Sequence, residues 1–253
     1  MTPPAPISLE FPAVPGVGRV FGATRRVRLG DVTPRGRLRL DAAVRYLQDI
    51  AHDDAREAAY ADRDGWVVRR TALRVEKFPV FQESLSLQTW CGGLGSHWAE
   101  RSTLIEGERG GRIEAAAVWV HVDLATMAPA KLAADFLAVA SASAVGRKVG
   151  ARVLLRDRPT PGEPRHPWPL RFSDMDALGH MNNAAYWEAV EEWLGAHREM
   201  RAPLEVVLEH LAPVNPEHEV ATVVRETGDH TLIWHESAGH VVAATQVRRS
   251  SVS

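Results

Sequence analysis

Cysteine is nearly absent from this chain: Cys91 stands alone among 253 residues. One thiol cannot close an intramolecular disulfide, and nothing clusters with it at metal-ligand spacing, so the sequence points to a reducing compartment and gives no metal site. A charge excess is lacking too. The formal net charge is -2 with both signs interspersed, and no basic stripe is present to neutralise a phosphate backbone, which argues against nucleic acid as a partner. No uninterrupted apolar run reaches the roughly 18 residues that a membrane span needs. The opening MTPPAPISLEFPAVPGVG has neither a basic n-region nor an apolar h-region. A cytoplasmic protein with no cofactor and no membrane span is the expectation. His166, His197, His210, His218, His230, His235 and His240 show no HExxH spacing and are read as surface or strand histidines.

What is present is a well-cored chain, 45% hydrophobic and 25% charged, which fits globular rather than disordered protein. Residues 1–20 read as an extended arm because of their prolines, with regular structure beginning near Phe21. A short alternating strand at 25–29 is followed by a helix after Asp41, whose Ala43, Tyr46, Leu47, Ile50 and Ala51 share one face. Strand formers then dominate 66–75, 84–90, 98–106 and 112–123, with GGLG and RGG as turn signals. One helix followed by an antiparallel meander is an α+β arrangement.

The same order returns. A short strand at 168–171 and a helix over 182–198 precede strands at 205–210, 219–225, 232–235 and 241–248. Residues 141–167 read as a surface connector holding a short strand at 153–155. Aligned without gaps, Arg28 meets Arg171, Asp31 meets Asp174, Gly36 meets Gly179, Leu47 meets Val190 and Ile50 meets Trp193. Each pair differs by 143 positions (171 − 28, 193 − 50). Later, Gly111, Ala115 and Ala116 meet Gly239, Ala243 and Ala244 at an offset of 128 (239 − 111), so the second copy has shorter loops. Two copies make a duplicated domain rather than a solenoid. The expected division is an arm over 1–20, a domain over 21–140, a linker over 141–167 and a second domain over 168–253.

The copies share framework and differ in chemistry. Where the second has Asp176, His180, Asn182 and Asn183, the first has Thr33, Arg37, Arg39 and Leu40. A carboxylate four residues from an imidazole, in a loop feeding a helix, supplies what hydrolysis needs. Asp176 can activate or orient a water or attack directly, His180 can position the partner group, and free helical N–H groups can hold an oxyanion. Asn182 and Asn183 can cap that helix or donate amide hydrogen bonds. Asp174 and Ser173 are read as turn or cap residues, because Asp31 has no chemistry around it. Glu188, Glu191 and Glu192 could add a second carboxylate, but a solvated helix face is the default. The tryptophans are core by default, with Trp66, Trp90, Trp98 and Trp119 candidates for lining an apolar cavity.

With these residues in hand, the chain resembles the acyl-acyl-carrier-protein thioesterases of plant plastids and bacteria. The resemblance runs from about Arg25 and rests on GWVVRR, ESLSLQTWCGGLGSHWAERSTLIEG, AAAVWVHVDLATMAPAKL and DMDALGHMNNAAYW. It implies two tandem hot-dog domains, each an antiparallel sheet wrapped around a central helix, the first shaping an acyl tunnel and the second carrying catalysis. It implies a substrate carried as an acyl carrier protein or coenzyme A thioester, allows a homodimer, and places catalysis on Asp176 and His180 with Asn182 and Asn183 beside them. Two departures stand out. The family's asparagine between the Asp and His falls on Leu178, and its Glu-Cys pair falls on Pro213 and Val214, so no cysteine nucleophile exists there. A hot-dog hydratase, whose signature spaces the Asp and His differently, and a non-catalytic acyl-binding protein are the competing readings.

Overall fold

The structure, a computed structural model, describes residues 6–59 and 65–250. Among them, ten strands form one antiparallel sheet: β1 (Val20–Arg26), β2 (Gly65–Lys77), β3 (Ser84–Leu94), β4 (Trp98–Gly107), β5 (Arg112–Val122), β6 (His166–Pro167), β7 (Leu204–His210), β8 (Val220–Glu226), β9 (Thr231–Ser237) and β10 (His240–Arg249). Their spatial order is β1, β3, β4, β5, β2, β7, β10, β9, β8, β6. Read from the middle outward, the two halves give the same sequence of positions, so β2 corresponds to β7, β5 to β10 and β1 to β6. The duplication seen in the sequence is therefore a pseudo-twofold of the sheet, and the fold is a tandem hot-dog.

The halves join where β2 pairs with β7, from Arg70 opposite Glu209 to Val75 opposite Leu204. Side chains alternate across a strand, and here the alternation separates two cores. Leu73, Val75, Leu204, Val206 and Leu208 point inward and pack with the helices. Ala72 and Val207 point outward, into a cluster with Leu155, Leu232 and Trp234 that Ile7, Leu9 and Phe11 of the arm cover. On that outer face Arg70 pairs with Glu209 at 3.2 Å and Arg74 with Glu205 at 2.9 Å, so each charge beside the seam is met by its opposite.

Two helices fill the inner face, α1 (Leu40–Glu57) and α3 (Trp187–Ala196), while the short α2 (Ala134–Ala140) packs at one end. Helix α1 lays Val44, Leu47 and Ile50 on the sheet, all buried, as the 3–4 residue spacing requires. Helix α3 begins at Trp187, five residues later than the sequence reading of 182–198. Hydrogen bonds from Ala185 to Asn182, Trp187 to Ala184 and Glu188 to Ala185 wind this entry as i to i+3 turns, a tighter coil common at helix starts. The strand expected at 153–155 does not form. Instead the N–H groups of Leu154 and Leu155 each donate to the Glu209 carboxylate, at 2.9 Å and 2.8 Å to Oε2, which satisfies the connector as it crosses the outer face. GGL of the supposed turn GGLG continues β3, with a register irregularity between Cys91 and Gly93. Helix α2 carried no periodicity strong enough to read. No helix among the described residues is long and apolar enough to cross a membrane.

Candidate active site

Each helix is entered through the same folded loop. Arg28 N–H donates to Asp31 Oδ2 at 2.9 Å, and Arg171 N–H donates to Asp174 Oδ2 at 2.8 Å. Next, Thr33 N–H bonds the Arg37 carbonyl and Asp176 N–H the His180 carbonyl, both at 2.9 Å. The turn between is closed by Gly36 at φ 81° and Gly179 at φ 80°, a left-handed geometry that favours glycine. Arg39 N–H and Asn182 N–H then donate to the carbonyls of Asp31 and Asp174, at 2.9 Å and 2.8 Å. Every one of these pairs keeps the offset of 143, so the shared Arg, Asp and Gly build the loop. Asp174, 2% exposed, is bound up in that framework, in agreement with the reading of Asp174 as a cap.

In the second copy this loop delivers Asp176, His180, Asn182 and Asn183 to the wall of one large cavity of about 1250 Å³. The cavity reaches into the first half of the chain, past Gln48, Asp54, Trp66, Trp90, Cys91, Ala99, Trp119 and Phe136. Three of the four tryptophans singled out lie on it. Trp98 does not: its indole N–H is held by the Val149 carbonyl at 2.8 Å. Around Trp66 and Phe136 the wall is apolar, lined by Ala99, Val139 and Ala140, which cluster with Leu94 and Leu132. Polar groups enter at Asp54, which accepts from Arg19 at 2.7 Å and Arg101 at 2.6 Å.

Asp176 is half-buried and His180 exposed. Asp176 Oδ1 accepts the Leu178 N–H at 2.9 Å, which fixes the carboxylate by its own loop and leaves Oδ2 without a partner among the described residues. The two side chains are brought to one wall without a direct hydrogen bond between them. Asn182 Oδ1 accepts the Ala184 N–H at 2.9 Å, so Asn182 acts as the cap of the turn entering α3. The Asn183 N–H makes no hydrogen bond among the described residues. Leu178, 81% exposed, stands at the cavity mouth with its side chain offering no hydrogen bond. Pro213 lines the cavity and Val214 is fully buried, its carbonyl taking the Met181 N–H at 2.8 Å.

The corresponding place in the first copy is closed. Glu191, on α3, accepts from both guanidinium nitrogens of Arg37 at 2.9 Å and from the Leu40 N–H at 2.6 Å. Arg37 and Leu40 are the first-copy counterparts of His180 and Asn183. Glu191 is therefore buried, which corrects the reading of Glu188, Glu191 and Glu192 as a solvated face; Glu188 pairs with Arg171 and Glu192 is exposed. None of the three lines the cavity with Asp176.

Sequence reasoning passed over Gln48 and Tyr186 and gave His210 no role beyond that of a surface or strand histidine; all three are on the cavity wall. Tyr186 stacks edge-on against His210 and His235, with ring centroids 4.9 Å and 5.2 Å away. Burial, with the charge of Asp176, pushes the Tyr186 hydroxyl well above its ordinary range. Burial, then His235 and Arg69, hold the His210 imidazole well below its own, although the ring has partial access to the cavity. His235 is fully buried with both ring nitrogens unpartnered, and burial lowers its pKa to about 4. Both are strand histidines, on β7 and β9, with neutral rings, which bears out the strand half of the surface-or-strand reading. Cys91 is likewise pushed up to about 11 by burial, so it is a thiol at neutral pH. No cluster of His, Cys, Asp or Glu suited to a metal ion occurs among the described residues.

Residues 18–140 match the acyl-ACP thioesterase N-terminal domain, and residues 159–250 match the acyl-ACP thioesterase C-terminal domain. An uncharacterized protein of Mycobacterium tuberculosis is 29% identical over 244 residues, 96% of this chain and 97% of its own length. Among solved structures, an acyl-ACP thioesterase from Bacteroides thetaiotaomicron superposes with a TM-score of 0.74 at 20% identity, covering 90% of this chain and 97% of that one. A 12:0-ACP thioesterase from Umbellularia californica gives 0.75 at 17% identity, covering 90% and 96%. At these identities the structural likeness speaks for the fold.

Proposed function

The chain belongs to the acyl-ACP thioesterase family and is a thioester hydrolase, and from that premise we propose that it releases free fatty acid from acyl-acyl-carrier-protein, using Asp176, His180 and the Asn183 N–H. The observation that carries this reading is the one cavity whose wall holds those residues and also the packed Trp66 and Phe136 rings of the first half. Residues 21–140 then hold the acyl chain and residues 168–253 supply the chemistry. A thioester carbonyl at the inner end of the loop places its oxygen on the Asn183 N–H. Asp176, held through Oδ1, takes a proton from water as that water attacks the carbonyl carbon. The tetrahedral oxyanion gains most from a donor already fixed in a site that excludes bulk water. Collapse breaks the C–S bond, and the thiolate leaves with the proton that Asp176 received, relayed through His180 at the mouth. Water and thioester become acid and thiol, with no cofactor in the balance.

The carrier is the finer part of the proposal. The test compares saturated acyl chains presented on acyl carrier protein and on coenzyme A, with free thiol as the readout. Faster turnover on the protein carrier at equal chain length supports it. Equal or faster turnover of the coenzyme A esters makes this an acyl-CoA thioesterase, and binding without thiol release makes it an acyl-binding protein.

A further inference from the structure

A twofold-related pair of loops allows the closed site to be used as a template for the open one. In the closed copy, a side chain from the opposite helix reaches the first free N–H of the helix entry: Glu191 of α3 on Leu40. Applying the offset of 143 sends Leu40 to Asn183 and Arg37 to His180. It also sends Glu191 back to Gln48 of α1 (191 − 143). The structure agrees with this mapping, since Gln48 and Asn183 line the same cavity, and they share the small void beside it with Arg101 and Trp119. Gln48 is half-buried, and its amide has no hydrogen-bond partner among the described residues. A carboxylate stands at the closed N–H, and a neutral amide of the same length stands at the open one.

Resting on the proposed hydrolysis, we infer that Gln48 is a catalytic residue given by the first half of the chain to the second: its side-chain amide and the Asn183 N–H together hold the thioester carbonyl oxygen. A glutamine fits the task where a glutamate does not. Its Nε2 donates to the oxygen as negative charge develops, while a carboxylate only accepts, repels the oxyanion, and would itself occupy the Asn183 N–H as Glu191 occupies that of Leu40. Neutrality at position 48 thus keeps the N–H open for substrate. The arrangement also explains why a degenerate half is retained next to the catalytic one, since the site is incomplete without α1.

The test uses the full chain with Gln48→Glu and Gln48→Ala. It follows kcat and KM on dodecanoyl-acyl-carrier-protein and on dodecanoyl-coenzyme A, and the binding of dodecanoate by fluorescence of the cavity tryptophans. Removing one oxyanion donor costs about 10²–10³ in kcat. Gln48→Ala is expected to lose about that much in kcat with KM nearly unchanged. Gln48→Glu is expected to lose at least as much and, in addition, to bind dodecanoate about tenfold or more weakly, with a melting temperature no lower than wild type because its carboxylate gains the Asn183 N–H. Wild-type kcat in Gln48→Ala together with unchanged dodecanoate binding in Gln48→Glu overturns the inference while leaving the hydrolase reading intact. If the wild type releases no thiol but Gln48→Glu still loses dodecanoate, the hydrolase reading falls and the carbonyl-binding role of Gln48 stands.

Discussion

Glu191 and Leu40, 151 residues apart, meet at 2.6 Å, carboxylate oxygen to backbone N–H. That contact shows a helix entry holding an anion. Free N–H groups at a helix start are partial positive charges seeking an acceptor. In one copy the chain supplies the acceptor from its own α3 and secures it with Arg37. In the other it leaves the N–H of Asn183 without a hydrogen bond, on the cavity wall that Asp176 shares. The difference between the closed and the open entry is thus one side chain on the opposite helix, together with the loop residues that differ.

Asp176→Asn is expected to lower kcat/KM by about 10²–10⁴-fold, the usual worth of a positioned general base. The amide keeps the shape and can still accept the Leu178 N–H through its oxygen, so the circular dichroism spectrum should not change. Cys91→Ser should leave turnover within a few-fold of wild type, because burial holds the Cys91 thiol up at about 11 and its Sγ lies 3.6 Å from the Gly93 carbonyl. Normal turnover in the asparagine variant, or a strong loss in the serine variant, would require the catalytic groups to be reassigned.

Glu191→Gln should unfold at lower urea while its kcat/KM stays within a few-fold of wild type. Removing one charge of a buried pair strands the other, a cost of about 3–5 kcal/mol when both are fully enclosed. Arg37 is 25% exposed and can partly rehydrate, so about 2 kcal/mol is the expected loss here. The Arg37 guanidinium also lies over the Phe78 ring, 4.4 Å from its centroid, and keeps that contact. A variant as stable as wild type, or one that is stable but inactive, contradicts the assignment of Glu191 to the closed copy.

His235→Phe should flatten the acid limb of the stability curve. The folded pKa of His235 lies at about 4, below its ordinary 6.5, so the unfolded chain binds the extra proton. The stability from this ring is complete above about pH 6.5 and is lost as the pH falls toward 4, at about 1.4 kcal/mol per pH unit. Phenylalanine removes two buried nitrogens that have no partners and keeps an aromatic ring against Tyr186 and Trp168. Urea midpoints between pH 7.5 and 4.5 measure it. Parallel curves for variant and wild type would mean that other groups carry the acid sensitivity.

Much of this was legible along the chain, and for a local reason. The Arg, Asp and Gly of the entry loop act on neighbours three to eight residues away, so their spacing recurs wherever the loop recurs, and an ungapped offset of 143 finds it. Asp176, His180, Asn182 and Asn183 stood out because their twins are different residues. The sequence misled where a side chain's partner is distant. Glu191 has the spacing of a solvated helix face, and Arg37 and the Leu40 N–H, 154 and 151 positions earlier, turn it inward.

Composition, periodicity and the repeat by themselves determined a duplicated α+β chain with its polar cluster in the second copy. Tertiary structure alone decided that the two sheets fuse at β2 and β7, so that α1 and α3 lie side by side on one face and each helix reaches the other's entry loop. Hydrophobic patterning tells a helix which face to bury, at a period set by its own backbone. It carries no information on which neighbour will cover the adjacent polar positions, and that neighbour is what made Glu191 a plug and put Gln48 on the same void as Asn183.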